Sequence, residues 1–172
     1  MKYLIVVDMQ EDFVNGCLGS DSARSVVPLV EKEIKSFKGE VIFTMDTHGE
    51  DYLTTREGKK LPVVHCIENT EGWQIVKPLQ PYVKRAVKKT TFGSVELAKL
   101  LAEENAKAPI ESIELIGVCT SICVISNAML LKAYLPETDI SVKASCCACI
   151  SKETHNAALK AMETAQIEIV RD

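Results

Sequence analysis

The chain has 172 residues, 47% of them apolar and 26% charged, which suits one compact domain over 1–172 with a sizeable core. A formal net charge of −4 and a pI near 5.5 argue against a nucleic-acid partner, because no basic excess offsets phosphate repulsion. No apolar run approaches the ~20 residues that span a bilayer, and seven cysteines are an odd number for a disulfide framework, so a cytoplasmic protein without a membrane partner is expected.

The chain opens with Tyr3–Asp8, a β-rich apolar run that ends in a carboxylate. It is too short for a signal peptide, and no small-residue cleavage site follows it. Ser22–Phe37 carries helical spacing at Val26, Val27, Val30 and Ile34, with Gly39 marking its end. Glu40–Met45 reads as a second strand. Thr47 to Tyr82 then breaks the rhythm with Gly, Pro, Thr and charge, as ordered functional loops do. Val83–Val87 is the third expected strand, Ser112–Gly117 the fourth, Ile140–Ala144 the fifth and Ile167–Val170 the sixth. Helices fit at Ser94–Glu104, where Ser94 caps an apolar stripe, at Cys123–Tyr134 and at Lys152–Glu163. Strands apolar throughout, separated by amphipathic helices, imply an α/β fold: a three-layer, doubly wound parallel sheet of about six strands, helices on both faces.

Ligands of such sheets bind at the carboxyl ends of the strands. The first strand delivers Asp8, then Gln10, Asp12 and Phe13; the second delivers Asp46, Thr47 and His48. The third delivers Lys88, Lys89 and then Phe92, and the fourth delivers Gly117 to Cys123. Cys123 opens a helix, where free backbone N–H groups and the helix dipole favour thiolate, and a nearby lysine adds to that. Asp8 is placed to accept its proton, and the N–H groups of the Cys119–Cys123 turn suit a tetrahedral oxyanion. The alternatives are a packing role for Cys123 and a loop hydrogen bond for Asp8. Adjacent Lys88 and Lys89 face opposite ways on a strand, and strand geometry does not say which reaches the site.

Asp46, His48 and the distant His65 form a carboxylate-plus-two-imidazole set of the kind that holds a metal with open positions, although Asp and His pairs are also common on surfaces. Cys146 and Cys149 have Cys-x-x-Cys spacing at a strand-to-helix boundary, a redox or zinc pattern, but lack the flanking residues and the second pair it needs. His155, early in the last helix, reads as a surface or capping residue.

Together these residues resemble the isochorismatase-like cysteine hydrolases, and within them the nicotinamidase-like subgroup, nearly end to end. Val6-Val7-Asp8-Met9-Gln10-Glu11-Asp12-Phe13 is similar to the family's opening strand. Lys89-Thr90-Thr91-Phe92-Gly93-Ser94 resembles its Lys-x-x-aromatic-Ser pattern, and Gly117-Val118-Cys119-Thr120-Ser121-Ile122-Cys123-Val124 resembles its nucleophile segment. The resemblance implies Asp8, Lys89 and Cys123 as catalytic residues, and a cis peptide between Val118 and Cys119. It also implies an oxyanion hole from the N–H groups of Cys119 and Cys123, and Phe13 against the substrate ring. Asp46, His48 and His65 would hold a divalent metal, zinc or else manganese or iron, that engages a pyridine nitrogen. The implied activity is nicotinamide hydrolysis through a cysteine thioester. Hydrolysis of another small amide or a vinyl ether, or a non-catalytic binding role, are the alternatives. A small-molecule amide is the implied partner, with a homo-oligomer as the family's common state. Three departures stand out. Ser121 replaces a frequent Asp, and Leu61-Pro62-Val63-Val64-His65-Cys66 replaces a Trp-Pro-x-His-Cys stretch with one residue more and no tryptophan. The chain is also short for the family.

Overall fold

A computed structural model describes residues 1–171. Strand β1 (Lys2–Val7) shows why the sheet has two covered faces. Leu4 and Val6 point into one apolar cluster while Tyr3, Ile5 and Val7 point into the other, the alternation of a pleated strand buried on both sides. Around it, β2 (Glu40–Asp46), β3 (Ala86–Lys89), β4 (Ser112–Val118), β5 (Asp139–Ala148) and β6 (Glu168–Val170) complete a parallel sheet in the order β3-β2-β1-β4-β5-β6.

One face packs against α4 (Val95–Lys107), α5 (Ile125–Tyr134) and α6 (Lys152–Thr164), through Leu97 and Leu101, Ala128 and Leu131, and Leu159 and Met162. The other packs against α2 (Asp21–Ser36), after a short α1 (Glu11–Val14), with Ala23, Val26, Val30 and Ile34 inward. That face is completed by the irregular segment after β2. Its Cys66, Trp73, Ile75, Val76 and Leu79 enter the core, and it contains α3 (Arg56–Lys60) with 3₁₀ turns at Tyr52–Thr54 and Gln80–Tyr82. The segment is ordered because it takes the place of a covering helix.

Two strands depart from the sequence expectation. The third lies at Ala86–Lys89 rather than Val83–Val87: the Gln80–Tyr82 turn runs into Val83, and pairing with β2 begins at Phe43 opposite Ala86. Both lysines are therefore inside the strand. The fifth runs on to Ala148 rather than stopping at Ala144, after a register shift opposite Leu115–Gly117. Gly117 has φ +117°, and a Cβ there would lie 2.2 Å from the Val7 carbonyl oxygen. Only glycine lets β4 pass β1 at this height.

Order reverses between β1 and β4, the switch point where open α/β sheets bind ligands.

Candidate active site

The carboxyl ends of β1, β2, β3 and β4 bring Asp8, Asp46, Lys89 and Cys123 to one place. Asp8 follows β1 with φ +48° and is fully buried. Lys89 ends β3 at 1% exposure, whereas Lys88 turns to solvent and pairs with Glu68, so alternation on the strand resolves the two lysines. Lys89 Nζ is 2.7 Å from Asp8 Oδ2, 2.9 Å from Asp46 Oδ1 and 3.5 Å from Cys123 Sγ, and donates to the Thr91 carbonyl at 3.1 Å. Thr44, inside β2, donates its hydroxyl proton to Asp8 Oδ1 at 2.6 Å.

Cys123 does not begin an α-helix, as its sequence context led us to expect. It sits in a π-helical turn, Thr120–Val124, whose Val124 N–H reaches back to the Cys119 carbonyl, and α5 starts two residues later. Such turns recur at functional sites. The peptide between Val118 and Cys119 is cis. Asn127 fastens the turn, donating to the carbonyls of Cys123 at 2.8 Å and Phe92 at 3.3 Å and accepting from Ser94 N–H at 2.9 Å.

The charge state of Cys123 also differs from expectation. Burial, and then the Asp8 carboxylate beside it, hold its thiol well above the ordinary range, and Lys89 only partly opposes them. Desolvation outweighs the lysine, so the resting group is a thiol. Asp8 is pushed up by burial, against Lys89 and Thr44. For Lys89 burial works against the charge, but Asp8, Cys123 and Asp46 overcome it and fix the ammonium.

Beside this trio lies a second cluster. Donor atoms of Asp46, His48, His65 and Glu57 all fall within 4.8 Å of one another. His48 Nε2 is 2.9 Å and His65 Nε2 3.6 Å from Asp46 Oδ2, and the same nitrogens are 3.7 and 3.8 Å from Glu57 Oε1. His65 Nδ1 donates to the Val63 carbonyl at 2.7 Å, which turns Nε2 inward toward Asp46 and Glu57, the ring orientation that metal-binding imidazoles adopt. Burial alone would raise the Asp46 carboxyl, yet hydrogen bonds from both histidines and the charge of Lys89 hold it well below the usual range. Two imidazole nitrogens and two carboxylates, converged and largely buried, fit a divalent metal ion. Glu57 was not anticipated; on sequence it is one of many surface glutamates, and only the turn into α3 aims it at the histidines.

Both clusters open on one cavity of about 280 Å³. Phe13, Leu18, Leu61, Phe92, Ile122 and Ile150 supply its apolar wall, with Asp46, Glu57, His65, Cys119 and Cys123 among the polar groups. Leu61 stands where the resembled family stretch has tryptophan. The buried Trp73 faces elsewhere, donating to Thr47 Oγ1 at 2.9 Å. The Phe13 ring is 5.4 Å from that of His65.

A family model described as the isochorismatase domain matches residues 2–171. The chain belongs to the isochorismatase family. Within it, a nicotinamidase from Schizosaccharomyces pombe is 29% identical, covering 98% of this chain and 92% of its own. The zinc complex of a pyrazinamidase from Pyrococcus horikoshii superposes with a TM-score of 0.85 at 27% identity, over 99% of both chains. A nicotinamidase from Bacillus subtilis gives 0.79 at 26%, again over 99% of both. The six-stranded parallel α/β fold expected from the sequence is thus the isochorismatase fold.

Two further residue sets singled out in the sequence find their places in this isochorismatase chain. Cys146, inside β5, packs into the α2-side cluster, whereas Cys149, just past the end of that strand, opens on the cavity; they form no dithiol. His155 is half-buried rather than a surface cap, its Nδ1 2.8 Å from the Thr120 hydroxyl.

Proposed function

We propose that this protein is a cysteine-dependent amidohydrolase acting on nicotinamide or a close aromatic amide, releasing the acid and ammonia. The observation that carries this reading is Lys89 lying between Asp8, Cys123 and Asp46, which joins a buried nucleophile to a metal-type cluster on the wall of one apolar cavity. Nicotinamidases and a pyrazinamidase among its relatives support the same chemistry.

In this mechanism Asp8 accepts the Cys123 proton as sulfur attacks the amide carbon, and the fixed ammonium of Lys89 stabilises the charge that develops on both partners. N–H groups of Cys119 and Cys123 receive the oxyanion. Asp8 returns the proton to the leaving nitrogen, ammonia departs and a thioester remains. Water, deprotonated by Asp8, then cleaves the thioester and the proton returns to Cys123, so amide and water become acid and ammonia. Phe13, Phe92 and Leu61 enclose the ring. A divalent ion, zinc in our reading, held by Asp46, His48, Glu57 and His65 would supply a Lewis-acidic contact for a ring heteroatom. The cysteines support a reducing, cytoplasmic setting, since none of the seven is in a disulfide. No helix among the described residues is long and apolar enough to cross a membrane.

The test is ammonia release from nicotinamide with added zinc or manganese, with Cys123→Ala as control. Release by the wild type alone is expected. Equal release by the variant would overturn the cysteine mechanism, and no release with metal bound would move the substrate to another amide.

A further inference from the structure

Cys149 opens on the same cavity as Cys119 and Cys123 but belongs to neither charged cluster. Hydroxyls surround it: Ser121 Oγ is 2.9 Å and Thr154 Oγ1 3.3 Å from its sulfur. Burial raises a thiol, but here these hydroxyls and the backbone N–H groups of Ser121 and Ile150 prevail and hold Cys149 below the ordinary range. The other six cysteines are all held above it. Ser121 is one of the departures from the resembled family pattern. A carboxylate in its place would repel a thiolate that the hydroxyl supports.

The sheet supplies a partner. Val118 of β4 pairs with Ala148 of β5, the last residue of each strand, so Cys119 and Cys149 directly follow a paired rung of the sheet. The rung they follow has the usual parallel spacing of ~4.8 Å, and a disulfide bridges Cα separations of roughly 4.4–6.8 Å. Cys149 is close enough to help raise the Cys119 thiol to about 12, burial being the larger cause. We propose that Cys119 and Cys149 form a redox-reactive dithiol at the cavity wall, which a hydroperoxide closes into a disulfide and a dithiol reductant reopens.

The chemistry balances in two steps. The Cys149 thiolate attacks a peroxide oxygen, forming a sulfenic acid and releasing hydroxide or alkoxide. Cys119 sulfur then displaces the sulfenic hydroxyl as water, giving the S–S bond; the two sulfurs lose two electrons and the peroxide gains them. Cys123 is not the partner, because its sulfur is buried against Lys89 and Asp8 and held as thiol. If the proposed amidase reading is right, on which this consequence rests, the bond ties down the residue whose N–H receives the oxyanion, and turnover stops.

The experiment treats the reduced full chain with stoichiometric hydrogen peroxide, blocks remaining thiols with iodoacetamide under denaturing conditions and maps the peptides. A Cys119–Cys149 cross-linked peptide that dithiothreitol removes, with ammonia release lost and regained in parallel, is expected. In Cys119→Ser, dimedone should instead trap a sulfenic acid at Cys149. A disulfide through Cys123 or Cys146, or an unmodified Cys149, overturns the proposal on the wild type alone, whatever the variant does. A 119–149 bond in a chain that hydrolyses no amide retires the amidase reading and leaves the dithiol standing; full turnover in the cross-linked chain overturns the inactivation.

Discussion

The Lys89 ammonium stands 2.9 Å from Asp46 Oδ1, so the lysine assigned to the nucleophile also touches a carboxylate of the metal-type cluster. Two sites that could have been separate share one buried cation, and both of its carboxylate partners, Asp8 and Asp46, are themselves buried.

Removing that cation leaves two buried carboxylates facing each other. Lys89→Met should cost about 3–5 kcal/mol of stability, the usual penalty for breaking a buried ion pair from one side, and should abolish amide turnover. Urea unfolding of the variant, alone and combined with Asp46→Asn, is the check. The second substitution should recover part of the loss, and an unchanged midpoint in Lys89→Met would contradict the shared-cation picture.

Thr44 holds Asp8 from the opposite side with a 2.6 Å hydrogen bond to Oδ1. Thr44→Val removes a donor that favours the charged carboxylate, so Asp8, already raised by burial, should rise further. The acid limb of kcat/KM against pH should move upward. Stability should fall by about 1–3 kcal/mol as a buried acceptor loses its partner. A limb that stays in place would remove Asp8 from the role of base.

The raised Cys123 thiol gives a stability signature of defined sign. Below the unfolded value of about 8.5 both states keep the proton, and the preference for the buried thiol is fully expressed. Above it the unfolded chain sheds the proton while the folded one holds it, so stability falls with rising pH. Wild type should therefore lose stability relative to Cys123→Ala between neutral pH and pH ~10, and iodoacetamide should label Cys123 slowly at neutral pH. Fast labelling at neutral pH would mean that the thiolate is already present.

Leu61 supplies an aliphatic surface at 39% exposure in the cavity wall. Leu61→Trp should add aromatic contact worth about 0.5–1.5 kcal/mol, lowering KM for nicotinamide by roughly two- to tenfold with little change in kcat. Steady-state kinetics decide it, and a raised KM would show that the wall is already filled.

Most of this architecture is legible in the sequence. Strands and helices announce themselves through apolar periodicity, and strand ends deliver Asp8, Asp46, Lys89 and the Cys119–Cys123 turn because a parallel sheet aligns them. What stayed hidden depends on tertiary aim. Glu57 and Thr44 carry no local signal, since a glutamate in a first turn and a threonine in a strand are ordinary. The Cys-x-x-Cys spacing pointed to Cys146, whereas the sheet sets Cys149 beside Cys119, thirty residues earlier in the chain. The thiol state of Cys123 likewise depends on how deeply the turn is buried, which no spacing records.

Gly117 carries a consequence for how such proteins diverge. With the Val7 carbonyl 2.2 Å from where its Cβ would be, any larger residue pushes β4 away from β1, and with it the whole turn that bears Cys123. A descendant could keep every polar side chain of the rim and still fall silent through one methyl group in the interior. The record of whether such a chain still works is written in its packing as much as in its chemistry.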